Sequence, residues 1–233
     1  MEIGSRNRLI VALDVPTRAE ALSVAERVGP HAGHLKVGMR LFTAEGPDLV
    51  RALKAAGHGI FLDLKYHDIP NTVAEAAAAA AALGVDFFDV HASGGADMMR
   101  AASAASREEA ARLGLRPPAM LAVTVLTSMP STSAQVVALA ELARDSGADG
   151  VVASAREARA VREAVGPGFL IVTPGIRPSG TANNDQRRVA TPREAIESGA
   201  DYIVVGRPIL KAEDPARAAM AVVSEMERSE VTP

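Results

Sequence analysis

The 233-residue chain contains no cysteine, which excludes a disulfide framework and any thiolate metal site. It has no run of basic residues, and its formal net charge is −3. Both features argue against a nucleic-acid-binding surface. No apolar run reaches the roughly 18 residues of a membrane span without polar interruption. The alanine run at 76–82 is too short and is flanked by Glu75 and Asp86. The N-terminus lacks the apolar core of a secretory signal, so the chain reads as a soluble, cytoplasmic protein. Lysine is scarce as well. There are four (Lys36, Lys54, Lys65 and Lys211) against 21 arginines. A lysine kept in such a background suggests a role that arginine cannot fill, because an amine can release a proton near neutral pH once its surroundings tune it.

What is present is a regular alternation. Hydrophobic residues make up 48% of the chain, enough for a large core. Short, near-continuous apolar runs predict strands at 9–13, 34–37, 60–64, 87–90, 120–125, 150–152, 170–172 and 202–205, as expected of parallel strands buried on both faces. Alanine-rich segments with helical periodicity lie between them. Thr17-x-x-Glu20, Thr72-x-x-Glu75 and Thr191-Pro-Arg-Glu194 fit the capping box that starts a helix. Asp214-Pro215 opens the last helix in a similar way. Gly29, Gly57, Gly84, Gly114, Gly147 and Gly199 follow helices, where a left-handed residue favours glycine. Eight β/α units without a linker predict a single-domain (β/α)₈ TIM barrel spanning 1–233. A doubly wound open sheet is the alternative.

In such a barrel the active site is built at the C-terminal ends of the strands. Those ends carry Asp14, Lys36, Asp63 with Lys65, His91, Thr127 with Ser128, Ser154, Thr173 and Arg207. The densest stretch is Phe61–Thr72, with Asp63, Lys65 and Asp68 within six residues. Strand alternation puts Asp63 and Lys65 on one face, and crowded ionisable groups often mark chemistry. A lone aspartate at a strand end is more often a cap or turn residue. That reading weakens here, because Lys36, Asp63 and Lys65 lie on strands that would be neighbours. The loops after strands seven and eight, Thr173–Pro178 and Val205–Arg207, stand where barrels often bind phosphate. Gly206 allows close backbone approach, Arg207 can hold phosphate bidentately, and Gln186 lies in a polar stretch able to close over a ligand.

Six strings complete the pattern: Leu62-Asp-Leu-Lys-Tyr-His-Asp-Ile-Pro-Asn-Thr72, Val90-His-Ala-Ser-Gly-Gly95, Val123-Thr-Val-Leu-Thr-Ser128, Val172-Thr-Pro-Gly-Ile-Arg177, Asp185-Gln-Arg-Arg188 and Val205-Gly-Arg-Pro208. In these the chain resembles the orotidine 5′-monophosphate decarboxylases. The resemblance implies decarboxylation of orotidine 5′-monophosphate to uridine 5′-monophosphate, with no cofactor and no metal. It implies that Asp14 and Lys36 hold the ribose hydroxyls, that Asp63 sits beside the substrate carboxylate, and that Lys65 donates the proton. Asp68, Ile69 and Thr72 would reach into the site of a second subunit, making the enzyme a homodimer with shared sites. Thr127, Ser128 and Pro174 would face the pyrimidine, and Arg177, Gln186, Gly206 and Arg207 would grip the phosphate.

Other readings stay open. A magnesium-dependent sugar-phosphate decarboxylase, such as one acting on 3-keto-L-gulonate 6-phosphate, would share the Asp-x-Lys-x-x-Asp core. A sugar-phosphate epimerase would need more strand-end histidines than His91, with His67 in the loop, provides. A non-enzymatic phosphate-binding scaffold would not need the charge cluster around Lys65.

Overall fold

The computed structural model describes residues 3–179 and 190–227. A short helix α1 (Ser5–Arg8) leads into β1 (Leu9–Ala12). There follow α2 (Arg18–Val28), β2 (His34–Gly38), α3 (Met39–Ala55), β3 (Gly59–Tyr66), α4 (Pro70–Ala82), β4 (Phe87–His91), α5 (Ala96–Leu113) and β5 (Ala119–Val123). The second half runs α6 (Ser133–Asp145), β6 (Gly150–Val152), α7 (Ala155–Val165), β7 (Leu170–Thr173), α8 (Pro192–Glu197), β8 (Tyr202–Val205), α9 (Arg207–Leu210) and α10 (Pro215–Glu227). The strands close in order into one parallel barrel, with β8 pairing back onto β1. The open-sheet alternative is thereby excluded.

The two-residue period of the strands sorts side chains into two layers. Ile10, Ala12, Phe61, Phe87, Leu121, Val172 and Val204 form one cluster, which fills the barrel interior. The alternate residues, among them Leu9, Val11, Leu35, Val37, Ile60, Leu62, Phe88 and Val90, pack outward beneath the helices. Each such fully buried side chain contributes about 1.5–3 kcal/mol relative to exposure. The inward column changes character along the barrel axis. At its N-terminal end His34, Phe87 and Tyr202 stack edge to face, with centroids 4.8 to 5.8 Å apart. At its C-terminal end the same column presents Lys36, Asp63 and Asp89, all buried.

A side-chain clamp recurs at the N-terminal end. In Gly84-Val-Asp86, Gly147-Ala-Asp149 and Gly199-Ala-Asp201 the glycine takes a positive φ (68°, 84° and 99°) and the aspartate precedes β4, β6 or β8. Each aspartate donates its own N–H to a carbonyl of the preceding strand: Ile60, Met120 or Ile171. Its carboxylate then accepts the N–H of that same residue at 2.8 Å. A cation from the helix that precedes the earlier strand of each pair completes the clamp: Lys54 of α3, Arg107 of α5 and Arg162 of α7.

Helix starts follow local chemistry. Thr17 and Thr191 accept the N–H three residues on, and Thr191 with Glu194 forms a full capping box. Asp214 accepts from Ala216 and Arg217 at the start of α10. Two expectations need correction. The Thr72 box does not form, because Pro70 occupies the first position of α4 with Ile69 as its cap. Proline's fixed φ starts the helix earlier, and Glu75 instead accepts from the Asn71 amide. Gly29 is right-handed at φ −54°, since a three-residue 3₁₀ turn continues from it.

Two outcomes test this architecture. Asp201→Ala strands the Ile171 N–H and leaves the Arg162 guanidinium with carbonyl acceptors only, and is expected to cost about 1–3 kcal/mol in denaturant unfolding. His34 is held below the ordinary histidine range by burial, reinforced by Lys54 and Arg116 and opposed by Asp86. The unfolded chain then binds the proton more readily than the fold does. Stability is therefore present above about pH 6.5 and is lost as pH falls below it. In His34→Phe the acid-side decline of Tm should be shallower than in the wild type.

Candidate active site

The C-terminal mouth holds one continuous line of charge. Lys36 Nζ stands 2.8 Å from Asp63 Oδ2 and 3.7 Å from Asp14 Oδ1. Lys65 Nζ bonds the other oxygen of Asp63, Oδ1. Asp89 lies beyond, with Oδ2 3.9 Å from Lys65 Nζ. The order is therefore Asp14, Lys36, Asp63, Lys65, Asp89, drawn from four consecutive strands or their ends. Asp63 and Lys65 share a face, as alternation requires. Lys65 reaches it by an unexpected route: it has φ +52° and is the one non-glycine with positive φ among the described residues. The β3–β4 pairing shifts register between Leu62 and Tyr66 at this point. A non-glycine residue in this region costs energy and clusters at functional sites.

Burial alone would raise the Asp63 pKa, but Lys36 and Lys65 override it and hold the carboxyl well below the usual range. Burial alone would lower Lys36, and Asp63 with Asp14 reverses that and raises it. Asp63 is thus a carboxylate and Lys36 an ammonium at neutral pH. Asp89 moves the other way: burial first, then the Asp63 charge, push it well above the usual carboxylate range, against Lys65.

Two cavities meet at this array and share Lys36, Asp63 and Lys65. One, of about 340 Å³, is lined also by Asp14, Gly38, Met39 and Arg40. The other, of about 180 Å³, is lined by Val123, Val125, Leu126, Thr127, Pro174 and Val204, besides Asp89. Their combined size and mixed lining suit a small molecule with one polar and one flat apolar part.

Of the residues singled out from sequence, Asp14, Lys36, Asp63, Lys65, Thr127 and Pro174 come together here. Gly206 abuts the array: a Cβ on it would stand 3.2 Å from Asp14 Oδ2. Arg207 follows at the head of α9. Arg177 is buried, with Nη1 bonded to the Ile176 carbonyl. Ser128 is exposed and lines neither cavity. Asp68, Ile69 and Thr72 are likewise exposed on the rim and line neither cavity of their own chain. Gln186, in the Asp185–Arg188 string, lies outside the described residues. His91 stacks beside His67 at 5.4 Å. The hydroxyls of Ser154 and Thr173 are buried without a hydrogen-bond partner.

Sequence reasoning missed Asp89 and Gly38. The signal for Asp89 was an acid in the middle of an apolar strand, two residues from both Phe87 and His91. Gly38 matters by lacking a side chain, since a Cβ there would lie 3.2 Å from Lys36 Nζ. Among the described residues there is no group of three or more histidine and carboxylate side chains that could hold a metal ion.

The family model "Orotidine 5'-phosphate decarboxylase / HUMPS family" matches residues 7–222. An orotidine 5'-phosphate decarboxylase of Moorella thermoacetica is 52% identical over 239 residues, covering 97% of this chain and 95% of that protein. One from Anaeromyxobacter sp. is 52% identical over 228 residues, covering 93% and 97%. The crystal structure of orotidine 5'-phosphate decarboxylase from Lactobacillus acidophilus matches with a TM-score of 0.84 at 42% identity, covering 94% of this chain and 98% of that one. With a family model matching most of its length and relatives about half identical over nearly all of it, the chain belongs to the orotidine 5'-phosphate decarboxylase / HUMPS family.

Proposed function

We propose that this protein is an orotidine 5′-monophosphate decarboxylase, releasing carbon dioxide and uridine 5′-monophosphate in the last step of de novo pyrimidine nucleotide synthesis. The observation that carries the reading is the pair of ammonium groups on the two oxygens of Asp63 at the barrel mouth. The names of relatives about 50% identical point the same way.

The chemistry asks for such a site. Breaking the bond between carbon 6 and the carboxylate leaves an electron pair in the plane of the pyrimidine ring, where the π system cannot absorb it. Fixed charge is the remaining means of stabilisation. In this reading the Lys65 ammonium faces carbon 6, stabilises the pair as it forms, and then donates a proton to it. Water afterwards reprotonates the amine. Asp63 orients Lys65 and lies beside the departing carboxylate. Asp14 and Lys36 take the ribose hydroxyls from the polar cavity, while Thr127 and Pro174 take the pyrimidine at the apolar one; Ser128, outside that cavity, faces the pyrimidine from the loop that carries Thr127. Arg177, Gln186, Gly206 and Arg207 grip the phosphate, whose binding energy lowers the barrier by closing the site. No cofactor or metal takes part. Both Asp63 oxygens already face ammonium groups, which leaves that carboxylate little room for the magnesium ion of the sugar-phosphate alternative.

The protein acts as a homodimer in the cytoplasm. Exposure of Asp68, of Thr72 and of the apolar Ile69 (66%) and Met39 (57%) beside the mouth supports a second copy docking there. Asp68, Ile69 and Thr72 then complete the partner's site.

Purified protein should consume orotidine 5′-monophosphate, seen as ultraviolet absorbance loss, and a chelator should not slow it. Abolition by chelator would favour the sugar-phosphate reading. Lys65→Ala should lose about 10²–10⁴-fold or more in kcat. Arg207→Ala should lose about 2–5 kcal/mol in kcat/KM without altering the chemical step; unchanged kinetics would remove it from the phosphate grip. Mixing inactive Lys65→Ala and Asp68→Ala proteins should restore activity, since one site of each heterodimer carries both lesions and the other none. No recovery after verified subunit exchange would place Asp68 in its own chain's site.

A further inference from the structure

We propose that Asp89 is a positioning residue acting through Lys65: a neutral carboxyl that accepts the Lys65 backbone N–H, donates to Asp63, and so fixes where the Lys65 ammonium stands. The role of Lys65 rests on the decarboxylase reading; the hydrogen-bond arrangement does not.

Asp89 is 1% exposed and projects into the barrel between Phe87 and His91. Its Oδ1 accepts the Lys65 N–H at 2.7 Å. That N–H belongs to the residue with φ +52°, a conformation costing an L-residue about 1–2 kcal/mol. Such a backbone persists only where surrounding groups hold it. The register shift at Leu62–Tyr66 takes this part of β3 out of regular pairing with β4, and the Asp89 side chain supplies the missing acceptor. Without it the Lys65 side chain would leave from a different backbone direction.

The second oxygen decides the protonation. Oδ2 is buried and has no donor within hydrogen-bond distance; Lys65 Nζ is 3.9 Å away. The Asp63 and Asp89 carboxyls lie within hydrogen-bonding reach of each other. Two carboxyl oxygens can face each other in a dry site only through a proton. Both Asp63 oxygens also meet ammonium groups, which keeps Asp63 anionic, so the proton belongs to Asp89. The charged and titratable groups that act on it are Asp63, Lys65 and Tyr66 on β3 and Lys36 on β2. The Tyr66 phenol is pushed up to about 12, by burial and then by Asp89, and stays neutral. Burial and Asp63 favour neutral Asp89, and the Lys65 charge opposes them. The neutral form has a functional consequence. Asp14, Lys36, Asp63 and Lys65 then balance to zero, whereas an ionised Asp89 would add a negative charge where an anionic substrate must enter.

Asp89→Asn preserves one acceptor and one donor, like the neutral carboxyl. Asp89→Val preserves size and removes both. Asn is expected to retain most of the wild-type kcat. Val should lower kcat by about 10²-fold, the effect of displacing a reacting group by about 1 Å, with KM little changed because Asp89 holds no part of the substrate. Independently of turnover, the wild-type infrared spectrum at neutral pH should show a protonated-carboxyl band that Asp89→Asn lacks. Asn as impaired as Val, Val as active as the wild type, or no such band would each overturn the proposal. A wild type inactive on orotidine 5′-monophosphate would defeat the functional reading instead, and the infrared band would then decide this one. Should Val fail to fold, Asn and the infrared band decide it.

Discussion

Asp63 is a carboxylate with little exposure to water, and the mouth of the barrel is organised around keeping it ionised. Removing such a charge from water costs several kcal/mol unless close partners repay it. Lys36 and Lys65 each bond one of its oxygens, and that arrangement sets the positions of everything else. Lys36 must rise from β2 and Lys65 from the same strand as Asp63. Asp14 and Asp89 then stand outside the two cations. Removing Asp63 would take the nearest carboxylate from both Lys36 and Lys65, so the array is centred on that one residue.

The array has room because the inward column is divided. Aromatic rings close the N-terminal end of the barrel, and apolar residues fill its middle. The polar side chains therefore share one narrow compartment, where interactions between charges are stronger than in bulk water. The same compartment strains the backbone at Lys65. Cavity lining there is asymmetric as well, with charge on the β1–β3 side and valine, leucine and proline on the β5–β8 side.

Much of this was legible in the chain. The apolar runs marked all eight strands, because parallel strands buried on both faces leave little else to choose from. Asp14, Lys36, Asp63 and Lys65 could be placed from their positions at strand ends. The positive φ of Lys65 could not, since a bulge depends on the neighbouring strand rather than on local sequence. Asp89 escaped notice because a mid-strand acid resembles an ordinary interruption until its partners on the neighbouring strand are known. Thr72 misled because capping-box spacing competes with Pro70, and the proline prevails.

The three Gly-x-Asp clamps bear on a different problem. The barrel strands are short and nearly synonymous: Leu-Ile-Val-Ala, Gly-Val-Val, Leu-Ile-Val-Thr and Tyr-Ile-Val-Val could pair with one another in many orders and registers. Hydrophobic burial would reward several of those arrangements about equally. Each clamp ties a given strand to one neighbour, in one register, and requires the cation of one particular helix. The aspartates thus act as address labels, distinguishing the native ring from its permuted relatives. They do so at the end of the barrel away from the mouth, so the alignment of the strands and the electrostatics of the site are specified by separate residues.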